Sequence, residues 1–260
     1  MHMNTPGIEE YLARPMARPE PSVLAAIDAG PMDPADATPL EELDTLLDPH
    51  ARLTETGWCR LPDGVGYVAV RTAMPGVSAE MVDWWFDWHP HDSIRYRVWC
   101  PPAHESISFR PAAQPGVKPF WGAVHFVVED IGVGVQTLRI AFQPPTRLGF
   151  STDALDDPRV GTVVGAFGGD PERRMQFAEV VHVFLNPEEG LVLRSRFWLG
   201  SVLRPDAPAP LAAIAARLLN RTSVRRRVVH GRLPYTLARN CAIEYANLAR
   251  LLPELSARYG

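Results

Sequence analysis

Asn240 and Glu244 stand four residues apart in a C-terminal segment whose apolar residues recur at helical spacing. On a helix these two side chains lie one turn apart, at the edge of an apolar stripe. The stripe consists of Leu237, Cys241, Leu248 and Leu252. A carboxylate near such a stripe is costly to bury unless a cation or hydrogen-bond donors hold it. Two interpretations follow: Glu244 belongs to a buried site, or it pairs with a neighbouring arginine such as Arg239.

A second set of polar side chains lies in the segment 121–129, which alternates as a β-strand does. Period-two alternation places His125, Val127 and Glu129 on one face of the strand. If both faces of the sheet are covered, His125 and Glu129 face a pocket. If this face is solvated, they are surface residues, and alternation alone does not separate the two cases.

Three more residues could carry chemistry, and each has a structural interpretation. Cys100 ends a predicted strand and His104 follows in the next loop. A lone cysteine is more often a small buried hydrophobe than a ligand or a nucleophile. His182, inside an apolar segment, is typical of a hydrogen-bonded core histidine. The sequence contains no Gly-x-Ser-x-Gly elbow, no phosphate-binding loop and no His-Glu-x-x-His pattern.

The elements that must position these residues are mostly strands. A hairpin is predicted from 57–61 and 66–71, which flank the turn Pro62-Asp63-Gly64. Further strands are predicted at 94–99, 105–110, 121–129, 135–143, 160–167, 174–185 and 190–199. Helices are predicted at 39–47, 78–88, 208–220 and 235–252.

Strand follows strand without intervening helices, which favours an antiparallel sheet. We therefore predict an α+β fold in which a long curved sheet carries the C-terminal helix across it. Residues 1–55 are rich in proline and are predicted to form an irregular arm with short helices. Residues 56–260 are predicted to form a single domain.

Composition and charge exclude several function classes. The chain has 260 residues, 46% of them hydrophobic, and a formal net charge of -4. This charge gives no electrostatic reason to expect nucleic acid or an acidic membrane as a partner. The three cysteines form no Cys-x-x-Cys pair, and no apolar run approaches the ~18 residues of a membrane span. We expect a cytoplasmic protein with free thiols.

Several segments together resemble a known family. They are Trp84-Trp-Phe-Asp-Trp-His89, Arg95-Tyr-Arg-Val-Trp-Cys-Pro101, His125-Phe-Val-Val-Glu-Asp-Ile-Gly132 and Cys241-Ala-Ile-Glu244. They resemble the diacetylphloroglucinol hydrolase family, which includes phloretin hydrolase. The resemblance implies a helix-grip (Bet v 1-like) fold with a deep cavity. It also implies hydrolysis of a carbon–carbon bond between an aryl ring and an acyl group, assisted by a divalent metal, usually zinc.

The metal site that the resemblance implies is altered here. The family holds its metal with two histidines and two glutamates, and the matching positions are Cys100, Glu129, Asn240 and Glu244. Only the two glutamates are retained. Cysteine is a competent zinc ligand, whereas asparagine suits harder ions. His104 or His125 could serve as a substitute ligand. The sequence thus supports the pocket better than it supports the metal.

Three functions remain open at this point. The first is a metal-assisted hydrolase of acylated aromatic or β-dicarbonyl compounds, with Glu129, Glu244 and His125 as catalytic residues. The second is a metal-free isomerase or cyclase of a polyketide-like intermediate, in which the glutamates act as acid and base. The third is a non-catalytic binder of a hydrophobic metabolite. In each case we expect a small aromatic or polyketide-like ligand, and a homodimer is compatible with all three. The predicted pocket walls are Trp121, His182, Trp198 and His104.

Overall fold

A computed structural model of the chain describes residues 7–113, 116–186 and 190–260. Eight antiparallel strands form one sheet, in the order β1-β2-β8-β7-β6-β5-β4-β3. Their bounds are β1 Gly57–Arg60, β2 Gly66–Met74, β3 His104–Arg110, β4 Val124–Asp130, β5 Val135–Gln143, β6 Val160–Asp170, β7 Met175–Leu185 and β8 Leu191–Pro205.

Eight α-helices accompany the sheet in the described residues. They are α1 Glu9–Leu12, α2 Pro21–Asp28, α3 Ala79–Trp88, α4 Ser93–Trp99, α5 Thr152–Leu155, α6 Ala209–Leu219, α7 Thr222–Val228 and α8 Leu233–Tyr259. Short 3-10 helices cover Pro34–Asp36, Leu40–Leu47, His89–His91 and Pro145–Arg147. None of the helices in the described part of the chain is both long and apolar enough to cross a bilayer.

The sheet curves around α8, which packs against β1 and β2 and faces the other strands across a cavity. The predicted α+β helix-grip fold is confirmed. The stripe predicted on α8 is buried, with Leu237, Cys241, Leu248 and Leu252 between 0 and 8% exposed. These residues are four or seven positions apart, which places them on one face of the helix, and that face enters the main core.

The outer face of the sheet carries a second apolar cluster. Leu43 and Leu46 of the segment Leu40–Leu47 pack there with Phe150, Tyr67 and Trp198. Both faces of the central strands are therefore covered. This explains why β8 is buried along most of its length rather than at every second residue.

One predicted strand is wrong. Residues 94–99 form the helix α4, because the Asp92 side chain accepts a hydrogen bond from the Ile94 backbone N–H and caps the helix. Tyr96, Val98 and Trp99 have strand propensity, but all three are buried in the helical conformation. Their packing therefore outweighs their propensity. The other predicted strands and helices follow in the predicted order, but α5 and α7 were not predicted and the predicted helix at 39–47 is a 3-10 helix. The longest boundary shift is the extension of the last helix to Tyr259.

The N-terminal arm packs along α8. Ile8 and Tyr11 enter the main core, and the Tyr11 hydroxyl donates to the Glu254 carboxylate. Residues 1–6 of the predicted arm lie outside the described residues. The predicted division into an arm and one domain stays a prediction.

Asn247 on α8 links three parts of the structure and is 2% exposed. Its Nδ2 donates to the carbonyls of Trp99 (2.8 Å) and Val98 (3.4 Å), at the end of α4. Its Oδ1 accepts from the Ala17 backbone N–H at 3.0 Å. This side chain therefore fixes the end of α4, and with it Trp99 and Cys100, against the long helix.

We expect Asn247→Ala to lower the free energy of unfolding by about 2–3 kcal/mol, because it leaves buried backbone groups without partners. Urea denaturation followed by circular dichroism measures this change. Gln136→Ala is the control, since Gln136 is exposed and bonds only the adjacent carbonyl; we expect it to change stability by less than about 0.5 kcal/mol. Equal losses in the two variants would contradict the role of Asn247.

Candidate active site

The cavity between the sheet and α8 has a volume of about 140 Å³. Its walls come from β4 to β8, from α8 and from the aromatic cluster that α3 and α4 supply. Most of the wall is aliphatic or aromatic, and a dry cavity of this size accommodates roughly one aromatic ring. The few polar side chains on its wall therefore decide what the cavity binds.

β4 contributes His125, Val127 and Glu129 to the cavity wall. The three are 2%, 1% and 9% exposed, so the alternative of a solvated face is excluded. The alternation of the strand placed them on one face, and the helix α8 covers that face. The side chains of the intervening residues point the other way.

His104, at the start of β3, brings the two glutamates together. Its Nε2 lies 3.5 Å from Glu129 Oε2 and 3.3 Å from Glu244 Oε2. Its Nδ1 lies 3.0 Å from the Tyr96 carbonyl oxygen, which can only accept, so Nδ1 carries a proton. In the neutral ring Nε2 is therefore an acceptor, and it faces two carboxyl groups that can supply the proton.

Glu244 reaches this point from α8, and its side chain is 13% exposed. The Asn240 amide, one turn earlier, donates to Glu244 Oε2 at 3.3 Å. Burial raises the pKa of Glu244 to about 8, because few groups nearby stabilise its charged form. Its carboxyl group is thus protonated at neutral pH.

Glu129 is held differently. The Tyr96 hydroxyl donates to Glu129 Oε2, and the Tyr96 ring stacks on His104 with centroids 4.0 Å apart. Burial and the Glu244 carboxyl raise the pKa of Glu129, whereas the hydrogen bond from the Tyr96 hydroxyl lowers it. Because a hydroxyl donates to Glu129 and only a 3.3 Å amide hydrogen bond reaches Glu244, Glu129 is the stronger acid of the pair.

Burial governs the imidazoles as well. It lowers the pKa of His104, and it lowers the pKa of His125 and of His182 to about 3. All three rings are thus neutral at physiological pH. The Tyr96 hydroxyl has a pKa well above its ordinary value, also through burial, so it stays a hydrogen-bond donor.

The altered positions do not fit the metal that the resemblance implies. Burial and the nearby Glu244 carboxyl raise the pKa of Cys100 to about 12, so its sulfur is a protonated thiol in this structure. The Asn240 amide nitrogen donates a hydrogen bond to Glu244, and the Tyr96 hydroxyl donates one to Glu129 Oε2. In residues 7–113, 116–186 and 190–260, no group of three or more His, Cys, Asp or Glu side chains is arranged to hold a metal ion.

Two predicted pocket residues lie elsewhere. Trp198 is on the outer face of β8, where its Nε1 donates to the Thr38 carbonyl; its neighbours Phe197 and Leu199 line the cavity instead. Trp121 precedes β4 in a turn and packs against the edge of the main core. Strand alternation predicts neither position. Trp121 lies before β4 begins, and Trp198 lies on a strand that is covered on both faces.

His182 and His125 line the cavity without touching the carboxyl cluster. His182 Nδ1 lies 2.9 Å from Ser195 Oγ, and its ring packs on Tyr245 and Phe197. Two further polar wall residues, Tyr96 and His89, were not predicted as site residues. Tyr96 was missed because residues 94–99 were predicted as a strand. His89 was missed because it directly follows a tryptophan-rich helix.

The comparisons with known proteins agree with the resemblance. The family model described as the DAPG hydrolase PhiG domain matches residues 38–257. The chain belongs to this family. A 2,4-diacetylphloroglucinol hydrolase of Pseudomonas protegens is 32% identical over 92% of this chain and 80% of its own. The phloretin hydrolase of Eubacterium ramulus is 27% identical over 98% of this chain and 96% of its own.

Among solved structures, norcoclaurine synthase from Thalictrum flavum matches 76% of this chain and 90% of its own. The TM-score is 0.36 and the sequence identity 10%. At the four positions where the resemblance implies two glutamates and two histidines, this chain has Glu129, Glu244, Cys100 and Asn240.

The raised pKa of Glu244 makes the stability of this family member depend on pH. The carboxyl group is protonated up to pH about 8 in the folded protein, but only up to about 4.5 in the unfolded chain. Folding therefore takes up a proton between these values, and stability falls as the pH rises through this window. We expect Glu244→Gln to reduce that fall, which thermal unfolding at pH 5 and pH 8.5 measures.

Glu254→Gln on the same helix is the matched control. Arg14 lowers the pKa of Glu254, so that carboxylate stabilises the fold above its ordinary pKa. We expect its replacement to lower the unfolding temperature at pH 8.5. A Glu244→Gln protein whose stability falls with pH as steeply as the wild type would contradict the assigned protonation.

Proposed function

We propose that this protein hydrolyses the carbon–carbon bond between an acyl group and a hydroxylated aromatic ring, as in acylphloroglucinols. The observation that carries the proposal is the cluster of Glu129, Glu244 and His104 on the wall of a cavity of single-ring size. The names of the relatives support the substrate class, since they refer to diacetylphloroglucinol and phloretin.

The reaction needs two proton transfers. Water adds its oxygen to the carbonyl carbon and loses a proton to a base. The carbon–carbon bond then breaks, its electron pair goes to the ring carbon, and an acid protonates that carbon. The products are a carboxylic acid and a ring with one more hydrogen. Ring hydroxyl groups assist, because their keto tautomers stabilise the departing electron pair.

Glu244 is the acid in this proposal. Its carboxyl group is protonated at neutral pH because burial raises its pKa to about 8. The hydrogen bond from Asn240 orients the group. An acid whose pKa lies near the working pH combines a high protonated fraction with a useful tendency to give up the proton.

Glu129 is the base. The hydrogen bond from the Tyr96 hydroxyl lowers its pKa relative to burial alone, so it holds the negative charge more readily than Glu244 does. His104 Nε2 lies within 3.5 Å of both carboxyl groups and can relay the proton between them. This relay returns Glu244 to its protonated form after each turnover.

The apolar wall has two effects in this proposal. Aromatic rings such as Trp99 and Phe86 supply flat surfaces against which a substrate ring can pack. The same surface excludes bulk water and so strengthens the interactions of the two carboxyl groups. The proposed reaction has no step for zinc, because the chain's own carboxyl groups and His104 carry both proton transfers and the Asn240 amide nitrogen faces Glu244.

Release of acetate from 2,4,6-trihydroxyacetophenone, followed by NMR, tests the proposal. We expect Glu129→Gln and Glu244→Gln to lower kcat by about 100-fold or more, because a glutamine amide cannot exchange the required proton. Glu179→Gln is the control, since Glu179 is a half-buried carboxyl that does not line the cavity. We expect it to keep its activity within about twofold.

Two results would contradict the proposal. The first is tight binding of 2,4,6-trihydroxyacetophenone by the wild type with no release of acetate. The second is substantial activity in either glutamine variant.

A further inference from the structure

His125 is a buried imidazole with an unsatisfied nitrogen. The residue is 2% exposed and lines the cavity. Its Nε2 has no hydrogen-bond partner among the described residues. An unpaired buried polar atom is costly, so it indicates either strain or a partner that comes from outside the chain. Here the residue faces a cavity, which gives such a partner a place.

A second imidazole lies beside it. The rings of His89 and His125 are 5.4 Å apart and meet edge to face. His89 Nδ1 donates to the Trp85 carbonyl oxygen at 2.7 Å, which leaves Nε2 as the acceptor of the neutral ring. His89 also lines the cavity and is 1% exposed.

The surroundings of this pair are aromatic. His125 packs against Phe109 and Phe142, and His89 against Phe86 and Trp99. Burial lowers the pKa of His125 to about 3 and that of His89 well below its ordinary value. Both rings are neutral, so this end of the cavity suits an uncharged group that both donates and accepts.

We propose that this inner end of the cavity, formed by His89 and His125, is a subsite for a hydroxyl group on the substrate ring. A hydroxyl group satisfies His125 Nε2 and has the donor that His89 Nε2 can accept. The assignment of the ring to an acylated phenol rests on the proposed function. The subsite itself rests on the two imidazoles and the cavity.

The spacing of the two polar ends supports a single-ring substrate. His125 and Glu129 are four residues apart on one face of β4, which is about 13 Å along an extended strand. Val127 lies between them and is apolar. The two polar side chains therefore lie at different points of one cavity wall, and a single ring can present one oxygen to each of them. We expect the subsite to select a hydroxyl group remote from the acyl group, as at the opposite position of the ring.

Binding of 4-hydroxyacetophenone and acetophenone tests the subsite, since the two compounds differ only by the hydroxyl opposite the acyl group. We expect wild-type protein to bind 4-hydroxyacetophenone about tenfold more tightly by isothermal titration calorimetry, because its polar groups stay unpaired with acetophenone. His125→Leu should bind the two compounds about equally. His125→Gln, whose side-chain amide can replace the lost nitrogen, should recover part of the preference.

Thermal unfolding of the ligand-free variants gives an independent result. If His125 Nε2 has no hydrogen-bond partner until a ligand binds, His125→Leu removes an unpaired buried group. The substitution should then raise the unfolding temperature by about 2–4 °C. A lower unfolding temperature would mean that the nitrogen is paired within the folded chain, and it would overturn the subsite.

Binding and turnover separate this inference from the proposed function. A hydroxyl preference that depends on His125, without any acetate release from 2,4,6-trihydroxyacetophenone, would support the subsite and overturn the hydrolase proposal. Acetate release by a protein that binds both probes equally would overturn the subsite alone. A hydroxyl preference that persists in His125→Leu would also overturn the subsite, because the preference would then not depend on His125.

Discussion

Holding two carboxyl groups beside one imidazole inside an apolar cavity costs free energy, and the surrounding structure depends on that constraint. Each group comes from a different element: Glu129 from β4, Glu244 from α8 and His104 from the start of β3. They meet only when the sheet has curved around the helix. The Tyr96 hydroxyl, the Tyr96 carbonyl and the Asn240 amide then supply the hydrogen bonds that make the burial tolerable. The packing of α4 and α8, secured by Asn247, keeps these donors in place.

The residues at positions 100 and 240 are consistent with this constraint. A metal ion is a strong positive charge that would keep both glutamates ionised. Where the resemblance implies two further ligands for such an ion, this chain has Cys100 and Asn240, and hydrogen-bond donors stabilise the carboxyl groups instead. Glu244 is a neutral acid, and the Tyr96 hydroxyl stabilises Glu129. The same cavity thus has a pair of carboxyl groups with unequal pKa values, which is what acid–base chemistry requires.

Much of this site could be predicted from sequence, and the failures have physical reasons. Alternation placed His125 and Glu129 on one face of β4, and helical spacing placed Asn240 next to Glu244. Neither pattern could show that His104 would lie between the two glutamates, because that contact joins β3 to α8 across the fold. Tyr96 was missed because residues with strand propensity form α4 once Asp92 caps it. Trp198 was misplaced because β8 is covered on both faces.

The most direct test of the account is the activity of the protein after treatment with a metal chelator. Elemental analysis and acetate release from 2,4,6-trihydroxyacetophenone should be measured on the same sample. The account predicts that kcat changes by less than about twofold when no stoichiometric metal remains, because the protons move between the chain's own groups. Loss of activity on chelation, with recovery on adding one equivalent of zinc, would contradict it.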